Sequence, residues 1–330
     1  MTVIHYTNKI FTDLSLHINM KKNQTYYSNG KLLLTGEYLV LEGALALAVP
    51  TKLGQNLKAT PIKEPIIDWK SIDNKGEVWF EKKFKLPIAN RKKSDAITDT
   101  LKNILLEVQK QNPNFLSGNQ GFKLITKLDF PRDWGLGSSS TLINNIAQWA
   151  GVNAFDLLQK TMGGSGYDIA CAQNNTPITY KLTPVIKNKV KFLKEPQITS
   201  VNFKPNFSEQ LYFVYLNKKQ RSHKEIQRFQ KIKTGIKEGI TTVSEITNLL
   251  VKTTQLDDFE LLIKEHEKLL STILKLPTIQ ELQFKDYFGQ TKSLGAWGGD
   301  FILATGNDDT PHYFQKKGFK TLLLYDEMVK

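Results

Sequence analysis

The chain has 330 residues, 40% of them hydrophobic, and its 45 Lys+Arg against 32 Asp+Glu give a net charge of +13. This length and apolar content support two domains or one large one; the single cysteine, Cys171, excludes an intramolecular disulfide framework, and the histidines show no His-Glu-x-x-His metal spacing. No apolar run approaches the roughly 20 residues that cross a bilayer, no signal-peptide succession opens the chain and the lysines are scattered, so the expectation is a cytoplasmic protein with no membrane or nucleic-acid partner, whose charge suits small anions.

Residues 1–19 carry no periodic pattern and read as an extension, non-native or disordered, ahead of a biological start at Met20. Over residues 28–41 apolar strands flank a turn at Thr35-Gly36-Glu37, bracketed by Lys31 and Glu37, and residues 44–49 form another short strand ending at Pro50. Short apolar patches among lysines and prolines predict a peripheral β region over residues 51–90. Ile97, Leu101, Ile104, Leu105 and Val108 then mark one face of a helix over 95–109, with Ser94 as its cap. Phe122, Leu124, Thr126, Leu128 and Phe130 alternate with polar residues as a half-buried strand does, stopping at Pro131.

The next stretch, Asp133-Trp134-Gly135-Leu136-Gly137-Ser138-Ser139-Ser140, precedes the helical spacing Leu142, Ile146, Ala150 and a stop at Gly151. A second helix, 154–161, leads into Gly163-Gly164-Ser165-Gly166-Tyr167-Asp168, and Cys171 reads as a small core residue on the helix after Asp168. Strand-like runs continue to about Val201, and Pro205 marks a boundary between parts spanning 20–203 and 204–330. Beyond it come a strand at 211–216, a polar loop at 217–222, a long basic helix, and amphipathic helices at 236–251 and 259–274. The glycine-rich run 293–300 enters a strand at 301–304, and 321–325 closes the chain as a strand.

Glycines at 135 and 137 let backbone N–H groups approach an anion closely, the three serines add hydroxyl donors, and a helix N-terminus adds its positive dipole end. By itself this outline is equally that of a turn and a helix cap. The familiar nucleotide routes are closed. The chain lacks Gly-x-x-x-x-Gly-Lys-Ser/Thr, position 140 is serine where a dinucleotide fingerprint has its third glycine, and protein-kinase signatures are missing.

Taken in order, Gly30-Lys31 with Gly36-Glu37-Tyr38, Gly135 to Ser140, Gly164-Ser165-Gly166-Tyr167-Asp168, and Gly295-Ala296-Trp297-Gly298-Gly299-Asp300 resemble the motifs of the GHMP small-molecule kinases. The resemblance covers the chain from about Tyr27 onward, and its details are most similar to the phosphomevalonate kinases of that family, with mevalonate kinases next. It implies an α/β (α+β) fold with an N-terminal mixed-sheet domain, a C-terminal ferredoxin-like domain and a site in the cleft between them. ATP and Mg²⁺ are the implied cofactors and a small molecule the implied acceptor; monomer and homodimer stay open.

Residue by residue, the resemblance implies that Gly135, Leu136, Gly137, Ser138 and Ser140 form the loop around the ATP phosphates while Ser139 gives a hydroxyl to Mg²⁺. Lys31 and Asp168 would stand at the reacting centre. Glu37, Tyr38, Ser165, Ser222, Ser293, Gly295, Ala296 and Gly298 would lie on the substrate side, with Glu37 equally readable as a structural partner of a buried N–H. Should the acceptor carry a phosphate, Lys218, Lys219, Arg221 and Lys292 are candidates to hold it. Three positions depart from the family pattern. Trp297 replaces a glycine, which would narrow the third loop or set an indole against substrate; Ser140 replaces alanine; and a glutamate metal ligand of some relatives falls near Leu157, beside Asp156. These departures motivate an alternative of another class, a nucleotide- or metabolite-binding paralogue without catalysis.

Overall fold

Two sheets organise the computed structural model, which describes residues 22–89, 94–187, 190–219, 222–232, 234–295 and 297–330. The reading of residues 1–19 lies outside these. The first part comprises β1 (Gln24–Leu33), β2 (Ala46–Ile62), β3 (Ile66–Ile72), β4 (Val78–Lys85), α1 (Ala96–Gln111), β5 (Gly121–Leu128), α2 (Ser138–Ala150), α3 (Ala154–Thr161), α4 (Tyr167–Gln173), β6 (Ile178–Lys187) and β7 (Val190–Ser200). Among the described residues its strands form a seven-stranded sheet in the order β4-β3-β5-β2-β6-β7, with β1 paired along β2. The β3–β5 pair is parallel and its neighbours are antiparallel, so the sheet is mixed as expected.

The second part holds β8 (Leu211–Tyr215), α5 (Ser222–Phe229), α6 (Ile236–Leu250), α7 (Leu256–Leu274), α8 (Ile279–Gln283), β9 (Thr291–Ser293), β10 (Phe301–Thr305), α9 (Thr310–Lys316), β11 (Leu322–Leu324) and α10 (Tyr325–Met328). Its sheet order is β11-β8-β10-β9, all antiparallel. With helices between the first and second strands and between the third and fourth, this is the ferredoxin-like arrangement.

Local chemistry explains most of these elements. In β5 the exposed Lys123 and Lys127 alternate with buried Phe122, Leu124, Thr126 and Leu128. Helix α2 ends where Gly151 adopts the left-handed conformation and returns its N–H to Ala147 and Gln148. Helix α1 is capped by Asp95, which accepts from Thr98 N, rather than by Ser94, which bonds Asp99 instead.

Three expectations for strand and helix extent are corrected. The second apolar run after the Gly36 turn is a single 3₁₀ turn, Leu39–Glu42, because Tyr38 at φ +62° reverses the chain and Gly43 closes it. Strand β2 does not stop at Pro50; this residue faces Lys31 next to a register shift in β1, where the sheet tolerates a missing donor, and the strand continues to Ile62. The long basic helix is only the eight residues of α5.

One core, with Trp69, Phe122, Ile143 and Trp149, lies between the first sheet and α1–α3. A second joins the two parts, uniting Leu32, Leu34, Leu47, Val49 and Leu136 of the first with Phe213, Phe301, Tyr325 and Met328 of the second. Burying each such side chain stabilises by about 1.5–3 kcal/mol. Beneath α2 runs a buried polar layer. Ser28 Oγ donates to Asn145 Oδ1 (2.8 Å), Asn144 Nδ2 to Ser28 Oγ (2.9 Å), Thr141 Oγ1 to Gln55 Oε1 (2.7 Å) and Asn145 Nδ2 to Gln55 O (2.9 Å), while at its exposed edge Gln173 Nε2 donates to Asn144 Oδ1 (2.8 Å).

Candidate active site

The glycine-serine loop is tied to β1 by Lys31 N donating to Leu136 O at 3.0 Å. Gly137, the N-cap of α2, has φ +89°, and a Cβ there would lie 3.1 Å from Lys31 Cγ, so the lysine stem runs directly against the loop. At Gly135, with φ +67°, a Cβ would fall 2.3 Å from Asp300 Oδ2; the carboxylate rests on the space glycine leaves. The N-cap residue, Gly137, provides no side-chain cap for α2, the arrangement in which a helix N-terminus can receive an anion.

Asp168 sits in the first turn of α4 after Gly166, which is left-handed at φ +88°. Its Oδ2 accepts from Ser140 Oγ and its Oδ1 from Ile169 N at 3.2 Å. Burial alone would lower the Lys31 pKa, but the surrounding Tyr167, Asp168 and Asp300 outweigh it and the net shift is upward, so the ammonium stays charged. Lys31 Nζ lies 5.6 Å from the Tyr167 ring centroid. Burial pushes the Tyr167 hydroxyl up to about 12, against the opposing pull of Lys31.

The structure therefore brings together Lys31, Gly135, Leu136, Gly137, Ser138, Ser139, Ser140 and Asp168. Ser139 is exposed, Ser138 is half-buried, and Ser140 is buried with its hydroxyl on Asp168. Ser165 lies just ahead of Asp168 and its carbonyl accepts from Tyr180 OH. Gly295 and Gly298 are half-buried in the third loop, Ser222 opens α5, and Ala296 lies outside the described residues. Asp300 and Tyr167 are the additions that the residue-by-residue reading omitted, although both stand inside motifs it quoted.

Glu37 and Ser293 belong to a second, fully buried cluster. Lys292 Nζ donates to Glu37 Oε1 at 2.6 Å and to Ser293 O at 2.9 Å, with Glu267 Oε1 3.8 Å away. His266 Nε2 accepts from Gly36 N at 3.0 Å; burial, aided by Lys292, holds its pKa well below the usual value. The ring is thus neutral, and its 3.4 Å approach to Glu37 Oε2 is not an ion pair. Burial raises the Glu37 pKa with Lys292 opposing, and pushes Glu267 to about 8, where Lys292 opposes and Glu37 reinforces. Thr35 and Thr247 hydroxyls add a 2.7 Å bond between the same two parts of the chain.

The candidates for an acceptor phosphate change accordingly. Lys292 is corrected: it is fully buried between two carboxyl groups and does not face a cleft. Lys219 Nζ donates to Arg132 O at 2.8 Å, beside the loop, Lys218 is exposed, and Arg221 lies outside the described residues. Trp297 is buried, 6% exposed, and does not present its indole to a cleft. It belongs to the buried cluster that also holds Tyr38, Leu39, Phe229 and Ile273; Nε1 donates to Pro277 O at 3.0 Å, and its backbone N–H donates to Tyr38 OH at 2.8 Å. Leu157 is core, Asp156 is exposed, and among the described residues no group of three His, Cys, Asp or Glu is placed to hold a metal.

No family model matches the chain, and no curated protein sequence matches it. Solved structures do. Streptococcus pneumoniae phosphomevalonate kinase in complex with phosphomevalonate and AMPPNP is 17% identical with a TM-score of 0.64, over 91% of this chain and 99% of that one. The Methanococcus jannaschii mevalonate kinase is 17% identical with a TM-score of 0.64, covering 92% and 97%. Lactococcus lactis galactokinase complexed with galactose is 13% identical with a TM-score of 0.65, covering 92% and 93%. The chain has the GHMP-kinase fold. Within it, the first part of the chain supplies Lys31, residues 135–140 and Asp168, and the second part supplies Asp300.

Proposed function

We propose that the chain is an ATP- and Mg²⁺-dependent GHMP-family kinase that phosphorylates a small molecule, phosphomevalonate ahead of mevalonate. The observation that carries this is a half-buried Lys31 whose stem runs against Gly137 and whose positive charge the nearby Asp168 carboxylate helps to sustain. The residues fit a nucleotide's phosphates: α2 lacks a side-chain cap, and Cβ atoms at 135 or 137 would crowd the groups beside the loop. The exposed Ser139 hydroxyl suits a metal contact. When bound, ATP with Mg²⁺ supplies the transferable phosphoryl group and the counter-charge to it.

Lys31 keeps a positive charge at the reacting centre. Asp168 takes the proton of an alcohol acceptor; toward an acceptor phosphate, already anionic, it orients. The reading takes the two parts as domains meeting at 203–204, places the protein in the cytoplasm, and gives it no nucleic-acid or membrane partner. No helix among the described residues is long and apolar enough to cross a membrane.

ATP turnover with phosphomevalonate, mevalonate, homoserine and hexoses tests the proposal. Transfer to phosphomevalonate is expected, and transfer only to a sugar rejects the isoprenoid acceptor. The buried Leu157, where some relatives have a carboxylate, favours a second reading as a non-catalytic binding paralogue; ATP binding without transfer to any acceptor would establish it.

A further inference from the structure

Ser140 stands where the resembling motif has alanine, and its surroundings give that hydroxyl a specific task. It lies in the first turn of α2, only 5% exposed, with Oγ donating to Oδ2 of Asp168 on α4. Among the described residues the other carboxylate oxygen accepts a hydrogen bond from the N–H of the next residue, Ile169, at 3.2 Å. One local bond leaves the carboxylate free to turn about its side-chain torsions. A second bond, from a different helix, fixes the plane of the group. Each carboxylate oxygen has two acceptor sites, so this bond leaves capacity for an acceptor proton.

We propose that Ser140 is a positioning residue for Asp168, coupling the orientation of the reacting carboxylate to the first turn of the phosphate-loop helix. The inference rests on the kinase reading above. A hydroxyl that served the nucleotide phosphates would control ATP affinity. One that serves Asp168 controls the rate of transfer once both substrates are bound, because misorientation of a reacting group is paid in the transition state. Ser140 follows the loop immediately in sequence, so displacement of the first turn of α2 is transmitted to Asp168 through this bond.

The test is steady-state kinetics of the full chain with mevalonate and phosphomevalonate, alongside Ser140→Ala and Ser140→Thr. For an alcohol acceptor, Ser140→Ala is expected to lower kcat about tenfold with KM for ATP within about twofold, and Ser140→Thr, which keeps the donor, to recover most of the loss. The ¹³C resonance of the Asp168 carboxyl group should also move in Ser140→Ala without nucleotide. An unchanged kcat, or a raised KM for ATP at constant kcat, overturns the positioning role while leaving the kinase reading intact. An unmoved carboxyl resonance overturns the contact itself. A wild-type chain that transfers to no acceptor overturns the kinase reading and this inference with it.

Discussion

Replacing Glu267 by glutamine probes the buried cluster that joins Gly36-Glu37 to α7 and β9. The carboxyl is 1% exposed, with a folded-state pKa of about 8 against 4.5 for the free side chain, chiefly through burial. In the native chain it therefore holds a proton that the unfolded chain has released. The stability this proton carries is complete below about pH 4.5 and is lost as pH rises to about 8, at about 1.4 kcal/mol per pH unit. The full span is on the order of 3–5 kcal/mol. Glutamine is neutral throughout and shows no such loss. At about 2 cal/mol/K of unfolding entropy per residue, the melting temperature of the variant relative to wild type should rise by about 6 °C from a fixed low-pH offset to pH 8.5, and lie within about 1 °C of that offset at pH 5. That offset reflects any lost attraction to Lys292, 3.8 Å away. Thermal melts by circular dichroism at half-unit steps measure the gap. A gap independent of pH between 5 and 8.5 refutes the protonated-native argument.

Three further outcomes are expected. Asp168→Asn should cut kcat toward an alcohol acceptor by about 10³ with the calorimetric Kd for ATP changed less than about twofold; near-normal turnover assigns the base elsewhere. Ser139→Ala should raise the Mg²⁺ concentration giving half-maximal rate about tenfold, and an unaltered metal titration moves the ligand to another residue. Trp297→Ala, which empties a buried indole site and strips Pro277 O of its donor, should cost about 3–5 kcal/mol in denaturant unfolding. A midpoint equal to wild type means the indole does not brace the third loop.

Much of the site was legible because its parts are local. Gly137 and the serines lie on consecutive positions, and glycine was demanded by a positive φ and by the close lysine stem. Helix α3 has the expected bounds, Ala154–Thr161. The 3₁₀ turn at Leu39–Glu42 reads as strand because its apolar run is compatible with both, and the deciding factor is the positive φ at Tyr38 before it and at Gly43 after it. The buried cluster was illegible for another reason. His266 and Glu267 sit in an amphipathic helix where polar residues read as surface, and the partners His266 and Lys292 lie more than 200 residues from Gly36 and Glu37. Trp297 seemed an obstruction only while its burial against Tyr38 was unknown.

The buried polar layer under α2 acts as an angular reference for that helix. Apolar contacts tolerate a small rotation or slide, whereas the bonds of Thr141, Asn144 and Asn145 to Ser28 and Gln55 accept one setting. A slip of one residue would turn the helix by about 100°, breaking these bonds and carrying the hydroxyls of Ser138, Ser139 and Ser140 to different bearings. The direction in which each of those hydroxyls points is thus decided further along the helix, by side chains buried against the sheet.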